Sequence, residues 1–260
     1  MREFAEVPDK LNLSVDELCV AAACIGYKAI PCLRTNLTDM KYESVKKRVE
    51  ETMLGLASKA ELELYVNRRP VPSADLECVV RTACTPDRII SMRRSVPPIR
   101  DSLQVFISGD KAAVIKNGCD LFFFPDLTQL KSELKTAYDL TGTEQSNRSA
   151  RVLLSELKHA RRLYDSFQTD IADEYLASYV GEGKDLILEM FSASKGFIIM
   201  KRWSKLDKGY ENDRSDIILV RDKQLYRAYC SPNEMVSIKG ISSEQFSNRI
   251  SEYLTCEEDR

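Results

Sequence analysis

Two stretches of this chain repeat one another in order, and that constrains the fold more than any single motif does. Ile89-Ile90-Ser91-Met92-Arg93-Arg94 resembles Phe197-Ile198-Ile199-Met200-Lys201-Arg202, each a strand-like apolar run closing on two basic residues. Just upstream, the apolar stretch DLECVVRTA from Asp75 matches DLILEMFSA from Asp185. Downstream, LQVFIS and KAAVIK are separated by Gly109-Asp110, good chemistry for a two-residue hairpin turn. DIILV and KQLYRAY stand in the corresponding place with Arg221-Asp222 between them, a poorer turn former. Each copy then closes on a helix start signal, Asp126-x-x-Gln129 and Ser242-x-x-Gln245. In such a box the cap oxygen and the Gln side chain satisfy exposed backbone amides. Leu130 and Leu134 of one copy match Phe246 and Ile250 of the other. The offset grows from 108 residues at the first strand to 112 at the turn and 116 at the last helix, as two short loop insertions would produce.

The pattern predicts an α+β fold of two similar helix–antiparallel-meander–helix units, residues 1–140 and 141–260, integrated into one domain. Either unit alone leaves strand edges bare. A pseudo-twofold arrangement that joins the two into one central antiparallel sheet flanked by helices is therefore expected. Ser14-x-x-Glu17 is a further capping box, opening a helix through Leu18, Ala22 and Ile25 that stops at Gly26. Val45, Val49, Met53 and Leu56 recur near the helical period in a second one. GTEQSNRS, from Gly142, is polar and reads as the linker between copies. Leu153, Leu157, Ala160, Tyr164, Phe167 and Ile171 then mark one long amphipathic helix whose stripe suits core packing better than a partner groove.

Composition narrows the function. Hydrophobic residues at 43% and charged residues at 30% suffice for a core without metals or disulfides. Lys plus Arg number 38 against 40 Asp plus Glu, so the basic excess of a dedicated duplex-DNA binder is missing. The short basic patches at 46–48, 68–69, 93–94 and 161–162 read as solvated helix faces or strand ends. The helix–helix–hairpin order of the first half does loosely resemble a winged helix, which keeps a nucleic-acid-binding regulator as an alternative. Charges scattered through MREFAEVPDKLNL, and the lack of a membrane-length apolar run, give the expectation of a cytoplasmic protein.

No cofactor or metal is expected. The eight cysteines (Cys19, Cys24, Cys32, Cys78, Cys84, Cys119, Cys230, Cys256) contain no CxxC pair, and the one histidine, His159, lies far from them in sequence. They read as reduced, mostly buried thiols. None of the common nucleotide, zinc-protease or hydrolase signatures is present, and His159 suits an exposed helix face, so no catalytic residue is assigned. Asp170 and Asp173 share a predicted helix face, and an enzyme working through two carboxylates stays as a less favoured alternative. Trp203 and Tyr210, which flank the polar connection SKLDKG, are the candidate partner-binding residues, with packing on the sheet as the competing reading.

The opening helix LSVDELCVAAACIG, Pro31, the helical segment ending MLGLASKAELELYVNRRPVP and the two hairpin units together resemble the EspG family of type VII (ESX) secretion chaperones. The likeness is one of layout and hydrophobic pattern over most of the chain. It implies a pseudo-twofold α/β fold with a central antiparallel sheet and flanking helical bundles. It also implies a non-enzymatic cytosolic chaperone or adaptor, a monomer or homodimer, holding a helical secreted protein or protein pair soluble before export. It carries over no individual binding residue.

Overall fold

The computed structural model describes residues 10–11, 13–33, 41–64, 69–140, 142–180, 183–192, 196–221 and 223–255. The first half runs β1 (Lys10–Leu11), α1 (Val15–Ile25), α2 (Tyr42–Ser58), β2 (Leu62–Glu63), β3 (Val71–Pro72) and α3 (Ala74–Cys84). It continues through β4 (Arg88–Val96), β5 (Ile99–Ser108), β6 (Lys111–Lys116), β7 (Asp120–Phe124) and α4 (Leu127–Ala137). The second half opens with β8 (Glu144–Gln145), β9 (Ser149–Leu153), α5 (Leu154–Asp165), α6 (Thr169–Val180) and α7 (Lys184–Ser192). It closes with β10 (Phe197–Leu206), β11 (Gly209–Arg221), β12 (Gln224–Cys230), β13 (Met235–Ile241) and α8 (Ser243–Leu254).

The class is α+β, and one large sheet spans both halves in the order β1-β7-β6-β5-β4-β10-β11-β12-β13-β9. Neighbours on that path are antiparallel, while β8 adds to β12 in parallel. The halves meet where β4 pairs with β10, and the register there sets Met92 opposite Met200. Side chains alternate between faces along each strand. Ile90, Met92, Met200 and Ile218 therefore pack toward α4 and α8, where Leu130, Leu134, Phe246 and Ile250 are all buried. Ile89, Phe106 and Ile115 face the other way, onto Leu18, Leu56, Leu76 and Val80 of α1–α3. On that same side the second half packs Tyr226 and Ile238 against Leu176, Leu186 and Ile187 of α6 and α7. Each such fully buried aliphatic side chain contributes about 1.5–3 kcal/mol before entropy is counted.

The local signals mostly act as read. Ser14–Glu17 and Ser242–Gln245 form both bonds of their capping boxes, and Gly26 ends α1 at φ 99°. At α4 the box is not formed. Asp126 caps the helix by accepting from the Thr128 N–H at 2.7 Å, a shorter reach than Gln129 would have shared. The turn of Gly109-Asp110 joins β5 to β6 as expected. Its counterpart lies later than expected: Arg221 is still in the strand and pairs with Gln224, and Lys223 stands at φ 66°. Asp222 itself lies outside the described residues.

Two expectations are corrected. The stretch from Gly142 is not a plain linker, because Glu144 and Gln145 pair with Gln224 and Leu225, and Ser149 begins the edge strand β9. Its polarity is compatible with strand because one face and one edge of it meet solvent. The expected single helix over Leu153–Ile171 is two helices, α5 and α6. Phe167 sits at φ 60° between them; its N–H donates to Tyr164 O at 3.1 Å, and the Gln168 N–H donates to Leu163 O at 3.0 Å. These two bonds are a Schellman stop, which overrides the apolar spacing.

The basic pairs Arg93-Arg94 and Lys201-Arg202, which lie inside β4 and β10 rather than at strand ends, also find their use here. Helix C-termini leave carbonyls without donors and carry a partial negative charge. Arg94 donates to Ala137 O at the end of α4, and Arg202 donates to Glu252 O and Thr255 O at the end of α8. The second residue of each pair, Arg94 and Arg202, is thus a tie between sheet and closing helix.

Candidate functional site

Most side chains that could do chemistry are engaged elsewhere or stand alone. Asp173 pairs with Lys184 at 2.9 Å, while Asp170 is exposed. Lys47 pairs with Glu51, Arg48 with Asp16 and Arg161 with Asp165, so three of the basic residues in the patches are neutralised on helix surfaces. Arg68 lies outside the described residues. β4 and β5 are internal strands of the sheet, so the hairpin that a winged helix would extend is already paired on both sides. Among the described residues no group of three His, Cys, Asp or Glu is placed to hold a metal, and no helix is long and apolar enough to cross a membrane.

Exposed apolar side chains lie on the α5–α6 pair, as they do on α2, where Tyr42 and Leu54 are 78% and 64% exposed. Phe167 is 94% exposed, and Ile171 and Tyr179 are 51% and 57% exposed. Residues four apart share a helix face. Ile171, Tyr175 and Tyr179 therefore form a stripe along α6, with the Tyr175 and Tyr179 rings 4.8 Å apart. His159 adds its ring from α5, 4.6 Å from Tyr175. Glu156 accepts the Tyr175 hydroxyl, and this bond with some burial pushes the phenol up to about 12. The stripe is thus held in place yet left open to solvent. Phe167 was legible only as a core residue by its spacing; the signal against that was the polar Ser166 and Gln168-Thr169-Asp170 around it.

Among solved structures, the Mycobacterium tuberculosis type VII secretion system chaperone EspG5, in complex with a PE25–PPE41 dimer, matches this chain with a TM-score of 0.62 at 12% identity. The match covers 95% of this chain and 97% of that one. This chain has the EspG5 fold. No protein-family model matches the sequence, and no curated protein matches it. The likeness to the EspG chaperones read from layout is therefore shown at the level of fold, and assigns no residue by itself.

Within the EspG5 fold, Trp203 and Tyr210 come together on the β10–β11 ribbon rather than on a loop. Trp203 pairs with Asn212 and Tyr210 with Lys205, beyond a register shift at Arg202/Trp203 that leaves Asp213 as the extra residue. Such a bulge bends a strand and turns its side chains. Both rings are half-buried against the α1–α3 cluster, and the Tyr210 hydroxyl donates to Pro86 O at 2.7 Å. Leu206, at the tip of the same ribbon, is 53% exposed.

The cysteines of the described residues are free thiols. Burial pushes Cys19 up to about 11 and Cys84 up to about 12, with Asp16 adding at the first and Cys19 at the second. Both folded values lie above the ordinary 9.0, so the native state holds these protons more tightly than the unfolded chain. The stability they contribute is complete below about pH 9 and is lost as pH rises toward 11–12. A urea midpoint that falls over that window in the wild type, and falls less in Cys84→Ala, is the expected result. At pH 8 a disulfide reagent should modify exposed Cys32, Cys119 and Cys230 first and reach Cys84 only on unfolding.

Proposed function

We propose that this protein is a non-enzymatic binding protein, a chaperone or adaptor that holds a helical secreted protein or protein pair in the cytoplasm. The observation that carries this reading is Phe167. The C-terminal residue of a Schellman stop is usually glycine, because a side chain in the left-handed region costs about 1–2 kcal/mol. Here a phenylalanine occupies it and projects into solvent at the head of the Ile171–Tyr175–Tyr179 stripe. Strain retained at an exposed aromatic points to a role outside folding. Exposed aromatics in a row are the usual anchors of an interface, and an apolar stripe on a helix pair suits an amphipathic helix laid against it. The EspG5 fold, seen in a chaperone solved with its bound dimer, supports the same reading.

The reading keeps Trp203 and Tyr210 as contact residues through the part of each ring left uncovered, with Leu206 beside them at the ribbon tip. It also treats residues 1–140 and 141–260 as two copies of one unit about an axis between Met92 and Met200. The register supports this by setting Met200 opposite Met92, its counterpart in the repeat.

The test separates binding from folding. Tagged wild-type protein and Phe167→Gly are used to capture ligands from the native cytosol, and the captured protein is identified and its helicity measured. Phe167→Gly should be more stable than wild type by about 1 kcal/mol in urea, because glycine relieves the left-handed strain. It should nonetheless lose the captured helical protein, as should Ile171→Asp. Equal capture by wild type and both variants would remove the α5–α6 stripe from the function.

A further inference from the structure

Helices α5 and α6 present an ordered set of charges on the faces turned away from the sheet. Ala160 and Ala172 are fully buried. A residue two places along a helix points about 200° round, to the opposite side. That geometry sets Lys158 and Arg162 of α5, and Asp170 and Glu174 of α6, on the solvent side, and all four are exposed. Between the two rows runs the seam where His159 stacks on Tyr175 at 4.6 Å. Ile171 and Tyr179 extend that seam along α6, four residues before and after Tyr175. One rim of the seam is therefore basic, the other acidic, and the floor between them aromatic and apolar.

Folding draws its ion pairs from other charges. Arg161 pairs with Asp165 along α5, and Lys184 of α7 takes Asp173 of α6. Lys158, Arg162, Asp170 and Glu174 form no ion pair among the described residues. Each rim instead places like charges four residues apart, which weakens a helix. Complementarity to the helix dipole accounts for Arg162 in the last turn of α5 and Asp170 in the first turn of α6. That effect fades within a turn, so it does not account for Lys158 and Glu174.

We propose that the partner helix seated on this seam has charge-segregated flanks, acidic over α5 and basic over α6, so that the two rims fix the direction in which it lies. This rests on the α5–α6 stripe being the docking surface. Packed helices lie about 8–10 Å apart, so a third helix laid in the groove between two holds its flanks over their outer rows. Those rows are Lys158–Arg162 and Asp170–Glu174. Turning a helix end for end exchanges its flanks, and the wrong direction would then set acid on acid and base on base. A nucleic acid or an anionic membrane does not fit the same surface, because the four charges cancel and the acidic rim repels phosphate.

The probe is a synthetic amphipathic peptide of about 18 residues, with a leucine stripe, glutamates along one flank and lysines along the other. A second peptide of the same composition mixes glutamate and lysine on both flanks. Titrated by fluorescence anisotropy against the full-length protein, the segregated peptide should bind roughly tenfold more tightly at about 50 mM salt, and the difference should shrink at higher salt. Lys158→Glu/Arg162→Glu should keep the wild-type melting temperature and lose the preference. Reversal of all four charges (Lys158→Glu, Arg162→Glu, Asp170→Lys, Glu174→Lys) should restore the preference with the peptide turned round. A spin label at the peptide N-terminus reads the direction, by broadening resonances at the Phe167 end of the seam in one protein and at the Tyr179 end in the other. Equal binding of the two peptides, both lost in Ile171→Asp, would overturn the charge order and leave the stripe as a docking surface. Binding of neither peptide, or an unchanged direction in the reversed protein, would also overturn the charge order. The stripe itself stands or falls on capture of a helical protein by wild type and not by Phe167→Gly.

Discussion

Replacing Arg94 by alanine should lower the unfolding free energy by about 3–5 kcal/mol, seen as a lower urea midpoint at an unchanged slope. The side chain is fully buried. Nε donates to Asp101 Oδ1 at 3.0 Å, Nη2 pairs with the second carboxylate oxygen, and Nη1 donates to Ala137 O at 2.5 Å. The guanidinium also lies 4.3 Å from the centre of the Tyr138 ring, whose phenol burial raises, with the Asp101 charge adding to it. Truncation strands a buried carboxylate, removes a donor from the last turn of α4 and opens a cavity, three penalties of the same sign. An exposed pair such as Lys47–Glu51 contributes only a few tenths of a kcal/mol by comparison. The double variant Arg94→Met/Asp101→Leu should recover most of the loss, since it removes both charges together. A single variant within 1 kcal/mol of wild type would mean that water reaches the pair.

Gly240→Ala should cost about 3 kcal/mol or more, a large penalty for one methyl group. A Cβ at this position would lie 1.9 Å from Ser146 O and 2.6 Å from Ser146 C, both backbone atoms. The segment carrying Ser146 is itself pinned, because the Gly240 N–H donates to Arg148 O at 3.2 Å and the Tyr226 hydroxyl bonds Ser146 Oγ at 3.0 Å. Relief therefore needs β8 to leave β12, with loss of those bonds. Gly55 provides the contrast within the same molecule. It lies inside α2, where a Cβ would meet only Glu17 Oε1 at 3.7 Å. Gly55→Ala should stabilise by about 0.5–1 kcal/mol through helix propensity alone. Denaturant melts of the two variants that move the same way would show that close backbone approach is not what Gly240 serves.

How much of this was legible depended on whether a signal was local. Capping boxes act within four residues, and Ser14 and Ser242 behaved as their sequences state. Hydrophobic spacing located α2 and the strands flanking Met92 and Met200, because core-facing side chains recur with the period of their element. The same spacing misled at Phe167, where a stop built from backbone bonds and a left-handed residue leaves no mark in an apolar pattern. Arg94 looked like a solvated strand end because its partners, Asp101 and Ala137, are brought to it by the sheet and not by sequence proximity. The polar stretch from Gly142 looked like a linker because edge strands with one wet face have the composition of loops. The aromatic stripe was half visible: Ile171 was read on a helix face, whereas Tyr175 and Tyr179 follow it at the same spacing and were not joined to it.

The pairing of β4 with β10 amounts to an interface whose concentration is fixed by the chain. Residues 1–140 made alone would bare the whole edge of β4, and a second copy could fill it with Met92 against Met92. Two separate subunits of that kind would meet according to their abundance and would have to stay identical, since a twofold pair shows the same residues on both sides. Tethering replaces abundance with a constant effective concentration. It also frees each side to change by itself. Leu103, Val114 and Phe122 in the first half occupy the strand positions that Asp216, Arg227 and Lys239 hold in the second, a difference that two identical subunits could not carry.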